Sequence, residues 1–356
     1  MGTITRGIAN NILGTGQVDG TDGLTGTVPA NNIANASLNN LTTFPPSVDA
    51  GIPSVASDPP SPSEGDVWYN NAAYKLRIRG SDVTAGTWAT ATALGTARYG
   101  GGGAGTQTAG LYAAGSIYPN PALSKNETEL YDGSSWTEVN NVNTARFYGA
   151  GDGSQTAALL VAGRTEPGGT PRAQTESWDG TNWTEVNDIN QAREGISCFG
   201  TSTANLIAGG EYSANPAKTL TESWNGTSWT EVNDLNTGRH FLTGAGTQTD
   251  GIVMGGQTPP VVANAETWDG TSWTAVSNIN AARGSARGAV GDSLDALYFG
   301  GTNNPSPPTR VQNESWDGSS WTEINNLNVG GRLGAGAGTT SAALGMSAYV
   351  DPGIPG

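Results

Sequence analysis

One phrase recurs along this chain, and it constrains the fold more tightly than any bulk property. It reads YDGSSWTEVNNVNTAR from Tyr131, WDGTNWTEVNDINQAR from Trp178, WNGTSWTEVNDLNTGR from Trp224, WDGTSWTAVSNINAAR from Trp268 and WDGSSWTEINNLNVGGR from Trp316. Its second tryptophan serves as a ruler. With Trp88 of GTWATATALGTAR included, the series is Trp88, Trp136, Trp183, Trp229, Trp273 and Trp321, at spacings of 48, 47, 46, 44 and 48. An arginine follows each at +10 (Arg98, Arg146, Arg193, Arg239, Arg283), or at +11 in the last copy (Arg332). A Gly/Ala-rich stretch comes next, then an apolar run ending in glycine (LYAAG, LLVAG, LIAGG, IVMGG, LYFGG), then a variable, often Pro-containing loop. A fixed period of this length marks an array of supersecondary units that bury their apolar faces on one another.

Each unit has the ingredients of four strands. The Gly/Ala stretches (YGGGGAG, FYGAGDG, LGAGAG) suit an innermost strand a, where backbones from all units converge and side chains do not fit. The apolar run is strand b, and its terminal glycine permits a left-handed or closely approached backbone. Strands c and d form a hairpin across D-G or N-G, a strong short-range turn signal. The two flanking tryptophans fill the space between neighbouring sheets. Composition agrees: 53 glycines and only 13% charged residues favour turn-rich all-β structure over helices.

The order of these elements, an arginine opening the first strand, a Gly-Gly after the second, an aromatic on the third and a tryptophan on the fourth, resembles the kelch repeat over roughly residues 65–350. Two copies depart from it, since Gly115 and Gly163 are followed by Ser116 and Arg164. The resemblance implies an all-β, six-bladed kelch-like β-propeller over residues 65–356. The full phrase occurs only five times, so the sixth blade is expected from both ends of the array: YKLRIRGSDVTAGTWAT (74–90) would supply strands c and d, and RLGAGAGTTSAALGMSAY (332–349) strands a and b. Such closure joins the ring and leaves few exposed edges.

Residues 1–64 differ in composition. They are poor in aromatics and charge, rich in Asn, Thr, Gly and Ala, and end in the Pro/Ser linker PPSVDAGIPSVASDPPSPSEG. They read either as a disordered tail or as an extended arm that orders against partner chains through Ile4, Ile8, Ile12, Leu24, Val28, Ile33 and Leu38. The stretch TGTVPANNI and the GDVWYN hairpin resemble amino-terminal portions of bacteriophage tail-fibre and virion-appendage proteins. That resemblance implies an arm docking on other virion proteins, several copies per particle, and assembly in the host cytoplasm.

The chemistry offered is sparse. A net charge of −15 disfavours nucleic acid and anionic membranes as partners, and no apolar run is long enough to span a bilayer. The first residues lack the apolar core of a signal peptide. With Cys198 and His240 as the only cysteine and histidine, intrachain disulfides, Cys/His zinc sites and copper-radical chemistry are not expected, and no metal or other cofactor is proposed. The D-G-x-x-W hairpin is one residue shorter than the sialidase Asp box and reads as turn chemistry. The repeating glutamates Glu129, Glu176, Glu222, Glu266 and Glu314 read as packing, because a catalytic constellation is normally asymmetric. The arginine series reads as a ring that could hold an anion or as ion pairs within each blade. No catalytic residue is assigned. The variable b–c loops share one face with the d–a loops, and there Tyr118, Arg164, Arg172, Tyr212, Lys218 and Arg310 are the candidate contacts to a host surface glycan or protein. The expected function is a non-enzymatic virion appendage. The alternatives are a purely structural virion protein, a cellular kelch scaffold or a glycan-active propeller enzyme.

Overall fold

The computed structural model describes residues 86–117, 124–166, 169–212, 217–303, 310–346 and Tyr349, together with the strands Ser54–Val55, Val67–Asn70 and Lys75–Ile78. Two compact units result, Met1–Thr84 and Ala85–Gly356. In the first, the three short strands form one sheet, Ser54–Val55 parallel to Val67–Asn70 and Lys75–Ile78 antiparallel to it. Tyr118 and the seven arm residues Ile4, Ile8, Ile12, Leu24, Val28, Ile33 and Leu38 lie outside the described residues.

The second unit is a β-propeller. Five sheets are complete antiparallel blades in the order a-b-c-d. Blade 1 is Gly102–Gly105, Gly110–Ser116, Ser124–Tyr131 and Trp136–Val139; blade 2 is Ala150–Ser154, Ala157–Val161, Thr175–Trp178 and Trp183–Val186. Blade 3 runs from Ser197–Gly200 to Trp229–Val232, blade 4 from Thr243–Thr247 to Trp273–Val276, and blade 5 from Gly288–Gly291 to Trp321–Ile324. In a sixth sector, Ala335–Thr339 and Ala342–Met346 pair as strands a and b. The six a strands neighbour one another in sequence, and the last returns to Gly102–Gly105. Only glycine fits some of these contacts. A Cβ on Gly288 would lie 2.6 Å from the Gly336 nitrogen, and one on Gly336 2.6 Å from the Ala289 oxygen.

A backbone ring closes the six sectors at one end of the axis. Tyr148 N–H donates to Gly100 O, Gly195 to Tyr148, Phe241 to Gly195, Ser285 to Phe241, Leu333 to Ser285 and Gly100 to Leu333, at 2.7–2.9 Å. All six residues have positive φ, between 49° and 70°, although four are not glycine. Each such non-glycine conformation costs on the order of 1–3 kcal/mol and persists only where surroundings dictate it; here the closed ring does.

The expected pairing of the two ends is met in part. Gly86 and Trp88 occupy the place of an outer strand in the sixth sector. Asn325 Nδ2 donates to Gly86 O (3.3 Å) and Asn328 Nδ2 to Trp88 O (2.8 Å), as Asn140 does to Thr181 O and Asn143 to Trp183 O between blades 1 and 2. Lys75–Ile78, expected to pair with the C-terminal strands, instead pairs with Val67–Asn70 in the separate sheet. Among the described residues, no strand lies on the outer edge of Ala342–Met346.

Two further expectations are corrected. The sixth arginine is out of register. Gly331 O accepts from Gly301 N as Arg146 O does from Gly115 N, and Arg332 therefore matches Tyr99, Phe147, Glu194, His240 and Gly284. In blades 1 and 2 the missing member of the Gly-Gly pair is the first, not the second: Ala114 (φ 62°) and Ala162 (φ 60°) take the conformation of Gly209 (φ 70°).

The tryptophans bind blade to blade. Trp183 Nε1 donates to Thr128 Oγ1 of the preceding blade, Trp229 to Thr175 and Trp273 to Thr221, at 2.9–3.0 Å. The c-strand tryptophans cap the a–b turns, as in Trp178 Nε1 to Gln155 O at 3.0 Å. Each D-G turn is an Asx turn. Asp179 Oδ1 accepts from Thr181 N and Asn182 N at 2.8 and 2.7 Å, with Gly180 at φ 94°.

Candidate functional site

Strands a and c run away from the face that holds the backbone ring, so the b–c and d–a loops surround the ring and the a–b and c–d turns lie at the opposite end. The two faces differ in charge. Among the described residues, the turn face carries Asp132, Asp179, Asp250, Asp269, Asp292, Asp295 and Asp317 and no cation. Lys125, Arg164, Arg172, Lys218, Arg310 and Arg332 belong to the loop face.

Much of the charge on the loop side is structural. Arg98 pairs with Glu129, Arg146 with Glu176 and Arg193 with Glu222 at 2.5 Å, Arg239 with Glu266 at 2.8 Å, and Arg283 with Glu314, all buried within single blades. The second carboxylate oxygen takes the preceding d–a loop, with Glu176 Oε2 accepting from Asn143 N and Nδ2 at 2.7 and 2.8 Å. The first five members of the arginine series are thus ion pairs, and their glutamates have no oxygen free for acid–base work.

The exception to this repetition is a ring of twelve residues around the channel mouth, joined by six isolated backbone bridges: Tyr99–Ser116, Phe147–Arg164, Glu194–Glu211, His240–Gln257, Gly284–Thr302 and Arg332–Tyr349. The backbone pairing is the same in every sector and the side chains are not. The ring adjoins the end of the 310 Å³ axial channel that is lined by the neighbouring residues Gly100, Tyr148, Gly195, Phe241, Ser285 and Leu333, where the rings of Tyr148 and Phe241 meet edge to face at 4.9 Å.

One arc of the ring is a continuous polar chain. Arg164 lies over the rings of Phe147 and Tyr148 (4.9 and 5.3 Å) and reaches Glu194 and Glu166, each at 3.2 Å. Glu194 and Glu211 face each other across their bridge, with N···O distances of 3.0 and 2.9 Å. His240 Nε2 lies 3.5 Å from Glu211 Oε2. Burial pushes the Glu194 carboxyl up to about 7; Arg164 opposes this and the Glu211 and Glu166 charges add to it. Burial also lowers the His240 pKa, with Glu211 opposing, so near neutral pH the imidazole is uncharged. Across the mouth, Arg332 stacks on Tyr349 at 4.7 Å, and Tyr349 meets Tyr99 at 5.6 Å.

Of the nominated residues, Arg164 belongs to this arc. Arg172, Lys218 and Arg310 are brought into one equivalent position at the start of strand c, four residues before the paired glutamate, where each N–H donates to the glycine closing strand b. Lys125 shares the position in blade 1. Arg172 is tied to Thr165 Oγ1 (2.7 and 3.0 Å) and Lys125 to Glu127 (2.9 Å). Tyr212 is exposed beside Glu211. Sequence reasoning missed Glu194, Glu211 and Tyr148 and gave His240 no binding role; the available signal was that the two positions after each frame arginine vary while the arginine itself recurs.

Below the mouth, Asp152 stands on strand a where other blades have Ala104, Phe199, Ala245 and Val290. Its carboxylate accepts from Gly153 N (2.7 Å) and, across to the next blade, Gly200 N (2.8 Å). Burial raises its pKa to about 7 despite both hydrogen bonds.

No protein-family model matches the chain, and no curated protein matches it. Among solved structures, the structure of YjhT is similar, with a TM-score of 0.59 over 69% of this chain and 89% of that one at 10% identity. At this identity the likeness concerns the fold, a β-propeller.

Proposed function

We propose that this protein is a non-catalytic binding propeller, carried on a virion by residues 1–64 and presenting its loop face to a host surface glycan or protein. One observation carries the reading: five blades repeat their ion pairs, turns and tryptophans, while the twelve positions around the channel mouth vary in charge, size and aromaticity. Packing alone favours repetition, as the rest of the frame shows. Variation concentrated on one rim of a rigid scaffold is what recognition uses. The kelch assignment is supported by the order of arginine, glycine pair, aromatic and tryptophan, and the virion assignment by the composition and motifs of residues 1–84.

The test is direct. Mass spectrometry of purified particles detects the chain, and full-length protein binds host cells through the loop face. If purified particles lack it, a cellular scaffold becomes the better account. A second reading, a glycan-active enzyme, is favoured by Glu194, a buried carboxyl titrating near neutrality beside Arg164 and opposite Glu211, which in turn meets His240. Release of reducing sugar from host glycans, abolished by Glu194→Gln, would establish it.

A further inference from the structure

We infer that the Glu166–Arg164–Glu194–Glu211–His240 arc is a subsite for a ligand ammonium group, carried by an amino sugar or by a lysine side chain. The inference rests on the proposal that the mouth is the binding face, and it names the chemistry recognised there.

Three observations on different groups lead to it. Glu194 and Glu211 are direct cross-bridge partners, and like charges directly opposite each other destabilise a sheet pair. Every other bridge in the ring avoids this arrangement, so the fold does not require it. Glu194 is 5% exposed, yet its Oε2 has no hydrogen-bond partner among the described residues, while Oε1 holds Arg164. His240, 6% exposed, also leaves Nδ1 without one. Buried polar atoms are normally satisfied; unpartnered atoms also occur in the frame, as at Arg193 Nε and Arg239 Nε, but those guanidiniums are paired with a glutamate, whereas Glu194 stands opposite a like charge.

Charge then selects the ligand class. Glu166, Glu211 and Glu194, the last about half ionised at pH 7, share one guanidinium, Arg164, which already reaches two of them, and the imidazole adds no positive charge near neutral pH, so the arc keeps a net negative charge. An anionic ligand would enlarge the imbalance, and a neutral hydroxyl would leave it unchanged. An ammonium group donates three hydrogen bonds and corrects it. Glu211 and Arg164 are each 28% exposed at the side chain and Glu166 is 17%, so solvent meets the arc on either side of the buried Glu194. The aromatic side chains Tyr148 and Phe241 beneath offer an apolar surface for a sugar ring or for the methylenes of lysine.

Full-length protein is titrated at pH 7 by calorimetry with D-glucosamine, Nα-acetyl-L-lysine methylamide, N-acetyl-D-glucosamine and D-glucuronate. At least one amine is expected to bind about tenfold or more tightly than N-acetylglucosamine, the scale of one charge-assisted hydrogen bond. Which amine binds separates a sugar source from a protein source. Glu194→Gln, which relieves the like-charge pair and so folds with an undiminished melting temperature, should lose that preference. Equal or tighter binding of N-acetylglucosamine or glucuronate overturns the inference, as does the absence of millimolar amine binding. If amines do not bind but the wild-type chain still binds host cells, the subsite falls and the binding-face reading stands; if neither occurs, both fall.

Discussion

The frame and the mouth of this propeller use similar side chains to opposite ends. In the frame, Glu176 is almost fully buried and every oxygen is engaged, with Arg146 on one and Asn143 on the other. In the mouth, Glu194 is about as buried, but it faces Glu211 and leaves one oxygen unpartnered. Burial alone therefore does not mark function. What separates the two regions is that each frame carboxylate faces an arginine whereas Glu194 faces a second glutamate across its bridge, and that the frame pairing recurs in five blades while the mouth pairing does not.

Substitutions that break the frame should have the largest effects. Removing the Arg193 side chain leaves Glu222 buried without its counter-charge and is expected to destabilise by about 3–5 kcal/mol. Trp229→Ala opens the contact between blades 2 and 3 and should cost a similar 3–5 kcal/mol. Denaturant melts measure both, and small losses would mean that the inter-blade contacts do not hold the ring together.

Effects of the mouth and channel carboxyls are smaller and depend on pH. Glu194 and Asp152 have folded pKa values raised to about 7, above their ordinary values of 4.5 and 3.8. A raised acid pKa gives a contribution that is fully present below the unfolded value and is lost as pH rises through the folded one. Each should thus lower stability by about 1–3 kcal/mol between pH 5 and pH 8. The turn carboxylates Asp132, Asp179, Asp269 and Asp317 have lowered pKa values, set by their turn hydrogen bonds. Their contribution has the opposite sign: present above the ordinary aspartate pKa, it is lost below it, so thermal melts should show a maximum near pH 4–5. In Glu194→Gln the loss between pH 5 and 8 should shrink; an unchanged slope would mean that Glu194 is not the buried acid described. The smallest effect belongs to Lys218→Ala at the start of strand c, within about 0.5 kcal/mol.

The repeat made the frame legible. The spacing of Trp88 to Trp321 implied six sectors, and the D-G turns, the in-blade pairing of Arg98 to Arg283 and the blade interfaces follow from residues that recur. What recurrence cannot reveal is a one-residue insertion or a position that never repeats. Arg332 looked like the sixth frame arginine because the eye aligns side chains, whereas the backbone bond from Gly301 N to Gly331 O sets the register. Glu194 and Glu211 lie 17 residues apart in separate segments and meet only because the chain reverses between strands a and b. Arg172, Lys218 and Arg310 were nominated as loop residues; their shared spacing of four before the glutamate places them together at the start of strand c.

The claim that the non-repeating mouth is where this protein binds can be tested most directly by retention of purified full-length protein on host cells. Two double variants with matched melting temperatures suffice: Arg164→Ala with Glu211→Gln at the mouth, and Asp132→Asn with Asp269→Asn on the turn face. The account predicts that the mouth variant loses retention and the turn-face variant keeps it. Retention lost by the turn-face variant and kept by the mouth variant would contradict it.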